Sequence, residues 1–170
     1  MAVLRREDAR LLKGGGQYVS DLQAPGLLVA AILRSPHAHA RIRSVDLSAT
    51  RGCPGVVLTM AGQDLAELPA MPDASANTTE RWLERVKPRL RFPRQRILAL
   101  DEVPYVGYPV AVAVARDHYV AEDALDAIRV EYEPLPASVD LLGALEPEAP
   151  RAQSDAADNV LFEFRLAKGD

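Results

Sequence analysis

The chain has 170 residues, 48% of them apolar and 26% charged, with a net charge of −4 at neutral pH. These proportions suit one globular domain with extended ends, and the charge is too small to imply nucleic acid or an anionic membrane as partner. The single cysteine, Cys53, excludes an internal disulfide framework and a zinc site built from several thiolates.

The opening, MAVLRREDAR, carries charges where a signal peptide has its apolar stretch, so the expected location is the cytoplasm. No apolar run approaches the roughly 18 residues of a membrane span. From Leu11 to Asp21 the run LLKGGGQYVSD predicts a turn or hairpin, with Gln17–Val19 as a short strand. A phosphate loop is disfavoured, because no strand precedes the glycines and the lysine–hydroxyl pattern is missing. Leu27–Leu33 is apolar without alternation, which predicts a strand covered on both faces, punctuated by Pro25-Gly26 and Ser35-Pro36. Arg41–Leu47 reads as a weaker strand, and Ser48 as the cap of a helical turn that stops at Gly52. Pro54-Gly55 turns into a second buried strand at Val56–Met60, and Asp64–Leu68 suits one or two helical turns. Residues 69–93 hold Pro69, Pro72, Pro88 and Pro93, and predict a surface excursion with a short helix over 79–86.

The clearest unit follows. In Pro109–Ala115, PVAVAVA, the valines fall on one face and the alanines on the other. Stiff branched side chains suit a sheet core, and bare methyl groups let a helix approach closely. The helix is predicted over Asp117–Ala127, with Asp117 as N-cap and Ala121, Ala124, Leu125 and Ile128 on one stripe. Ile128, Val130 and Tyr132 then alternate with charged residues, as in a strand wet on one face. Strand, helix and strand over 109–133 make a short βαβ crossover if the strands are parallel, and the class is mixed α/β. Val139–Leu145 reads as a helix, 146–159 as loosely ordered, and Val160–Leu166 as a last strand.

Motif chemistry is sparse. His37 and His39 could seed a metal site, but no third ligand is in view, and backbone-bonded loop histidines are the simpler reading. Cys53 reads as a small, partly buried apolar residue. Glu122, Asp123, Asp126, Glu131 and Glu133 fall where the pattern predicts solvent. The basic run Arg81–Arg96, with Trp82 and Phe92 interleaved, could bind single-stranded nucleic acid. The acidic chain and the offsetting Glu80 and Glu84 favour a surface that docks on a partner instead.

Four stretches together resemble one family. RREDARLLKGGGQYVSDL (Arg5–Leu22) is similar to the opening of bacterial molybdenum hydroxylase large subunits. AAILRSPHAHARIRSVDLSATRGCPGVVLTM (Ala30–Met60) looks like the next family segment. VPYVGYPVAVAVARDHYVAEDALDAIRVEYEPLPASVD (Val103–Asp140) resembles the segment that closes this domain, and Asp158-Asn159-Val160 with Gly169-Asp170 resembles the linker beyond it.

The resemblance, to the xanthine dehydrogenase, aldehyde oxidase and carbon monoxide dehydrogenase family, implies the N-terminal α/β hammerhead domain. It divides the chain into an N-terminal extension (1–24), the hammerhead (25–145) and a linker (146–170) toward a molybdopterin-binding region. It implies no catalytic, cofactor-binding or metal residue here. Molybdopterin, iron–sulfur clusters and FAD would belong to the complete enzyme: the rest of the large subunit, an iron–sulfur subunit and a flavin subunit. Arg34, His37, His39, Gly107, Tyr108 and Pro109 are the candidate contact residues. Tyr108 departs from the family pattern, which usually has glutamate or glutamine between the glycine and the proline. The competing expectation is a stand-alone interaction module that reuses the same fold.

Overall fold

The computed structural model describes residues 5–69, 89–90, 95–163 and 169. In chain order its elements are helix α1 (Asp8–Leu12), strands β1 (Val29–Arg34), β2 (Ala40–Asp46), β3 (Val56–Ala61), β4 (Arg89–Leu90), β5 (Glu102–Val103) and β6 (Pro109–Ala115), helix α2 (His118–Ala127), and strands β7 (Arg129–Pro134) and β8 (Phe162–Glu163). Short 3₁₀ turns occupy Val19–Asp21, Ser48–Thr50, Gly62–Leu65 and Gly143–Leu145.

The strands form two three-stranded sheets, ordered β1-β6-β3 and β5-β2-β7, and a β4-β8 pair, with every pairing antiparallel. The strand–helix–strand unit of 109–133 is present, but it is not a parallel crossover. β6 is already flanked on both sides by β1 and β3, and Ile128 alone separates α2 from β7. The chain therefore passes into the other sheet, where β7 runs antiparallel to β2, with Ala40 opposite Pro134 and Asp46 opposite Arg129.

Helix α2 begins as the sequence predicts. The Asp117 carboxylate accepts the Val120 backbone N–H at 2.9 Å, which satisfies one of the first-turn donors. Ala121, Ala124 and Ile128 are buried. They meet the alanine face of β6, where Ala111, Ala113 and Ala115 are all 0% exposed. The small-residue seam works as expected.

The valine face does not. Val112 and Val114 are half-buried, and Ile32 and Leu58 beside them are 43% and 45% exposed. β1 and β3 are thus covered on one face only, where two-sided burial was predicted. Val110, at the end of β6, is the exception: it is buried with Ala40, Ala99, Val103 and Tyr108 between the sheets.

Other expectations change in detail. No strand or hairpin forms at Gln17–Val19. Asp21 accepts the Tyr18 N–H at 2.9 Å, and Val19–Asp21 folds into a 3₁₀ turn. Ser48 is not the cap: it is the first residue of the 3₁₀ turn, the N-cap position falls on Leu47, and Asp46 accepts the Ser48 N–H at 2.8 Å. The turn predicted at Asp64–Leu68 starts earlier, at Gly62. Val139–Leu145 is helical only at Gly143–Leu145, with Val139, Leu141 and Leu142 exposed: its apolar residues have no facing surface to repay helix formation. Of Val160–Leu166, Phe162–Glu163 pairs with Arg89–Leu90 and 164–166 lie outside the described residues. The helix expected over 79–86 and most of the excursion 69–93 also lie outside them.

Candidate functional site

Where β1 ends, its bulge at Leu33/Arg34 turns the chain toward the loop that precedes β6. Ser35 N–H donates to the Tyr108 carbonyl at 2.9 Å, and Gly107 N–H donates back to the Ser35 carbonyl at 2.8 Å. The Arg34 guanidinium closes the corner with a 2.9 Å bond to the Gly107 carbonyl. Gly107 sits at φ +90°, a conformation that only glycine reaches without strain. Arg34, Gly107, Tyr108 and Pro109 therefore form one connected corner.

The two histidines lie just before β2 and point to different neighbours. The His37 N–H bonds to Ser35 Oγ at 3.0 Å, and its ring leans on Tyr132 with centroids 4.7 Å apart. Burial raises the Tyr132 hydroxyl above its ordinary pKa, against an opposing bond from Ser35. His39 is buried, with Nδ1 2.8 Å from the Pro136 carbonyl and Nε2 2.9 Å from Glu102 Oε1. Both partners are acceptors when Glu102 is ionised, so both bonds form only if each ring nitrogen carries a hydrogen. Burial pushes the Glu102 carboxyl up, but bonds from Ser154 and His39 outweigh it and leave the group below its ordinary value. The Ser154 N–H reaches the same Oε1 at 3.0 Å, so Glu102 joins β5, His39 and the 150s loop.

Tyr108, also buried, stands between two shallow clefts. Its hydroxyl accepts the Arg96 N–H at 3.1 Å and donates to the Arg96 carbonyl at 3.3 Å, and its ring meets Tyr105 edge-on at 5.1 Å. One cleft, of about 290 Å³, is walled by Arg96, Asp101, Glu102, Tyr108 and Ser154. The second, of about 230 Å³, is lined by Tyr105, Tyr108, Ala152 and Leu161 and is more apolar. Glu102 and Ser154 were missed from sequence, and Arg96 was read only as the end of the basic run. Arg96 meets Tyr108 across 12 residues, Glu102 meets His39 across 63 and Ser154 meets Glu102 across 52, and only the proximity of Arg96 to Tyr108 could have left a local signal.

Nothing in this arrangement fits a molybdenum centre. Among the described residues no three or more His, Cys, Asp or Glu side chains converge as metal ligands. Both nitrogens of His39 are engaged, and the Cys53 thiol donates to the Ala49 carbonyl at 3.3 Å. Glu122, Asp123, Asp126 and Glu131 are exposed, as predicted, and Glu133 pairs with Arg41 and Arg43. Apart from the Arg89–Leu90 backbone and residues 95–96, the basic run 81–96 lies outside the described residues.

Comparison with known proteins places the same fold in large redox enzymes. Residues 13–136 match the family model described as aldehyde oxidase and xanthine dehydrogenase, a/b hammerhead domain. The carbon monoxide dehydrogenase large chain of Afipia carboxidovorans is 38% identical over 156 residues, which are 92% of this chain and 18% of that one. The crystal structure of quinoline 2-oxidoreductase from Pseudomonas putida 86 superimposes with a TM-score of 0.80 at 45% identity, over 94% of this chain and 19% of that chain. A structure of the Cu,Mo-CO dehydrogenase matches with a TM-score of 0.70 at 36% identity, over 98% of this chain and 19% of that one. The chain thus spans about a fifth of the length of these relatives.

Proposed function

Because this chain belongs to the aldehyde oxidase and xanthine dehydrogenase a/b hammerhead family, we propose that it is the scaffold and contact domain of a molybdenum-dependent hydroxylase or dehydrogenase. One observation carries this: almost the whole chain aligns with a single fifth of much longer large chains. The described residues also lack a ligand set for the metal. No chemical step is therefore assigned to them.

On this reading residues 25–145 are the body of the domain, 1–24 its N-terminal extension and 146–170 its link to the rest of the large subunit. The complete enzyme would hold molybdopterin in that remainder, with an iron–sulfur subunit and a flavin subunit to carry electrons away. Its substrates would be carbon monoxide, aldehydes or N-heterocycles, and its location the cytoplasm. No helix among the described residues is long and apolar enough to cross a membrane.

The candidate contact residues divide by accessibility. Arg34 is exposed and His37 half-buried, so they can meet a partner directly. His39 and Tyr108 are buried and would set the shape of the corner from beneath. Gly107 and Pro109 fix its backbone course. Tyr108, in place of the family's usual acidic or amide residue, ties the corner to the Arg96 main chain.

The test is to purify the chain alone, and then with a companion polypeptide carrying the other four-fifths of the large subunit, and to measure bound molybdenum in each. Metal is expected only in the complex. Stoichiometric, tightly held molybdenum in the isolated 170 residues would overturn the proposal.

A further inference from the structure

The registers of the first sheet sort its side chains into rows. Ile32 lies opposite Val112, which lies opposite Met60; Ala30 lies opposite Val114, which lies opposite Leu58. Directly paired residues project to the same side. These two rows of three therefore form one continuous face of β1, β6 and β3. The alternate rows, Ala31–Ala113–Thr59 and Leu33–Ala111–Ala61, project to the other side, where α2 seals them.

The open face contains no charged or polar side chain. Ile32 and Leu58 are exposed, and Met60, Val112 and Val114 are half-buried. A strand face of this composition is ordinarily covered on both sides of its sheet. An interface core wholly lacking charge is the pattern of permanent contacts, not of transient ones.

We propose that this face is the seat of an apolar surface from the remaining four-fifths of the same large subunit. The inference rests on the scaffold reading above and adds where the contact is made. Two observations select this occupant. The relatives are single chains about five times as long, so in them a further four-fifths of polypeptide is joined covalently to the matching stretch. The open rows also continue directly into Val110, which is already buried in the core shared with the second sheet, so the seat extends an existing core. A second copy of this chain and a small apolar ligand are the rival occupants.

The chain and the companion polypeptide are co-expressed, with Leu58→Glu and Val112→Glu as face variants and Glu122→Gln on the exposed side of α2 as control. The unaltered chain and the control are expected to co-purify with the companion, and the face variants to lose at least tenfold in recovered complex. The isolated variants should keep a cooperative thermal transition. Because a charged variant could fail to fold, Ile32→Cys in a Cys53→Ser background gives a second measurement. Its maleimide labelling should be at least tenfold slower in the complex than in the isolated chain.

Unchanged recovery of the face variants, or unchanged labelling of Cys-substituted Ile32, overturns the seat and leaves the scaffold reading standing. An isolated chain whose dimerisation is abolished by Leu58→Glu, while that variant still binds the companion, assigns the face to a second copy and also overturns the seat. A companion that never binds the unaltered chain overturns both.

Discussion

Glu102 shows how much one side chain can hold. A single carboxylate oxygen receives the His39 ring and the Ser154 backbone, and thereby ties β5 to the start of β2 and to the 150s loop. Its pKa is lowered in the folded protein, despite the burial that works the other way. A lowered pKa means that the unfolded chain binds the proton more readily. The stability that Glu102 contributes is therefore complete above the ordinary glutamate value of 4.5 and is lost as pH falls through the lower folded value. Glu102→Gln should flatten this acid limb, which thermal unfolding between neutral and strongly acidic pH would reveal; an unchanged acid limb would contradict it. Gly62 holds by what it lacks. A Cβ there would stand 1.9 Å from the Ala99 carbonyl oxygen, with main chain on both sides of the clash. Gly62→Ala should cost about 1–3 kcal/mol, the usual range for overpacking, seen as a lower denaturant midpoint at unchanged slope.

At the scale of elements, the seam between β6 and α2 depends on methyl groups. Ala111, Ala113 and Ala115 leave no room for anything larger beneath Ala121 and Ala124. Ala113→Leu should destabilise the protein by on the order of 1–3 kcal/mol, read from thermal unfolding; an unchanged midpoint would mean that the helix does not ride on this face. That seam was legible in the sequence because both partners are local: the PVAVAVA alternation and the Asp117 cap lie within a few residues of what they shape. The direction of β7 was not legible. Alternation in Ile128, Val130 and Tyr132 reveals a strand, but its partner β2 lies far back in the chain at Ala40–Asp46. The hairpin expected near Gln17 failed for a related reason. A strand needs a neighbour, whereas Asp21 could satisfy Tyr18 locally.

Across the whole molecule, the family resemblance carried the architecture, and the residues carried the local pieces. The candidate corner was half legible. Arg34, Gly107, Tyr108 and Pro109 do converge, while His37 and His39 turn to separate partners. Glu102 and Ser154 complete the larger cleft with Arg96, through contacts 63 and 52 residues long that no local pattern announces. The apolar run at Leu27–Leu33 was read as a strand covered on both faces, and among the described residues one face of it stays open, with Ile32 exposed. That mismatch is informative. The proposed seat rests on a run patterned for two-sided burial but covered once, which makes metal content and companion binding the decisive measurements at this scale.

Asn159 has a mechanical consequence. Its amide nitrogen donates to the carbonyls of Ala144 at 3.0 Å and Pro150 at 2.9 Å, and its amide oxygen accepts the Ala152 N–H at 2.8 Å. The 144–159 stretch, although it has little regular structure, is thereby cinched into a knot-like coil moored again at Glu102. A tug on the chain just past Asn159 would load that amide first, and through Ser154 would reach His39. Strand β8 thus departs on a bearing that the domain itself dictates, as a bolted bracket aims a beam and a slack tether does not.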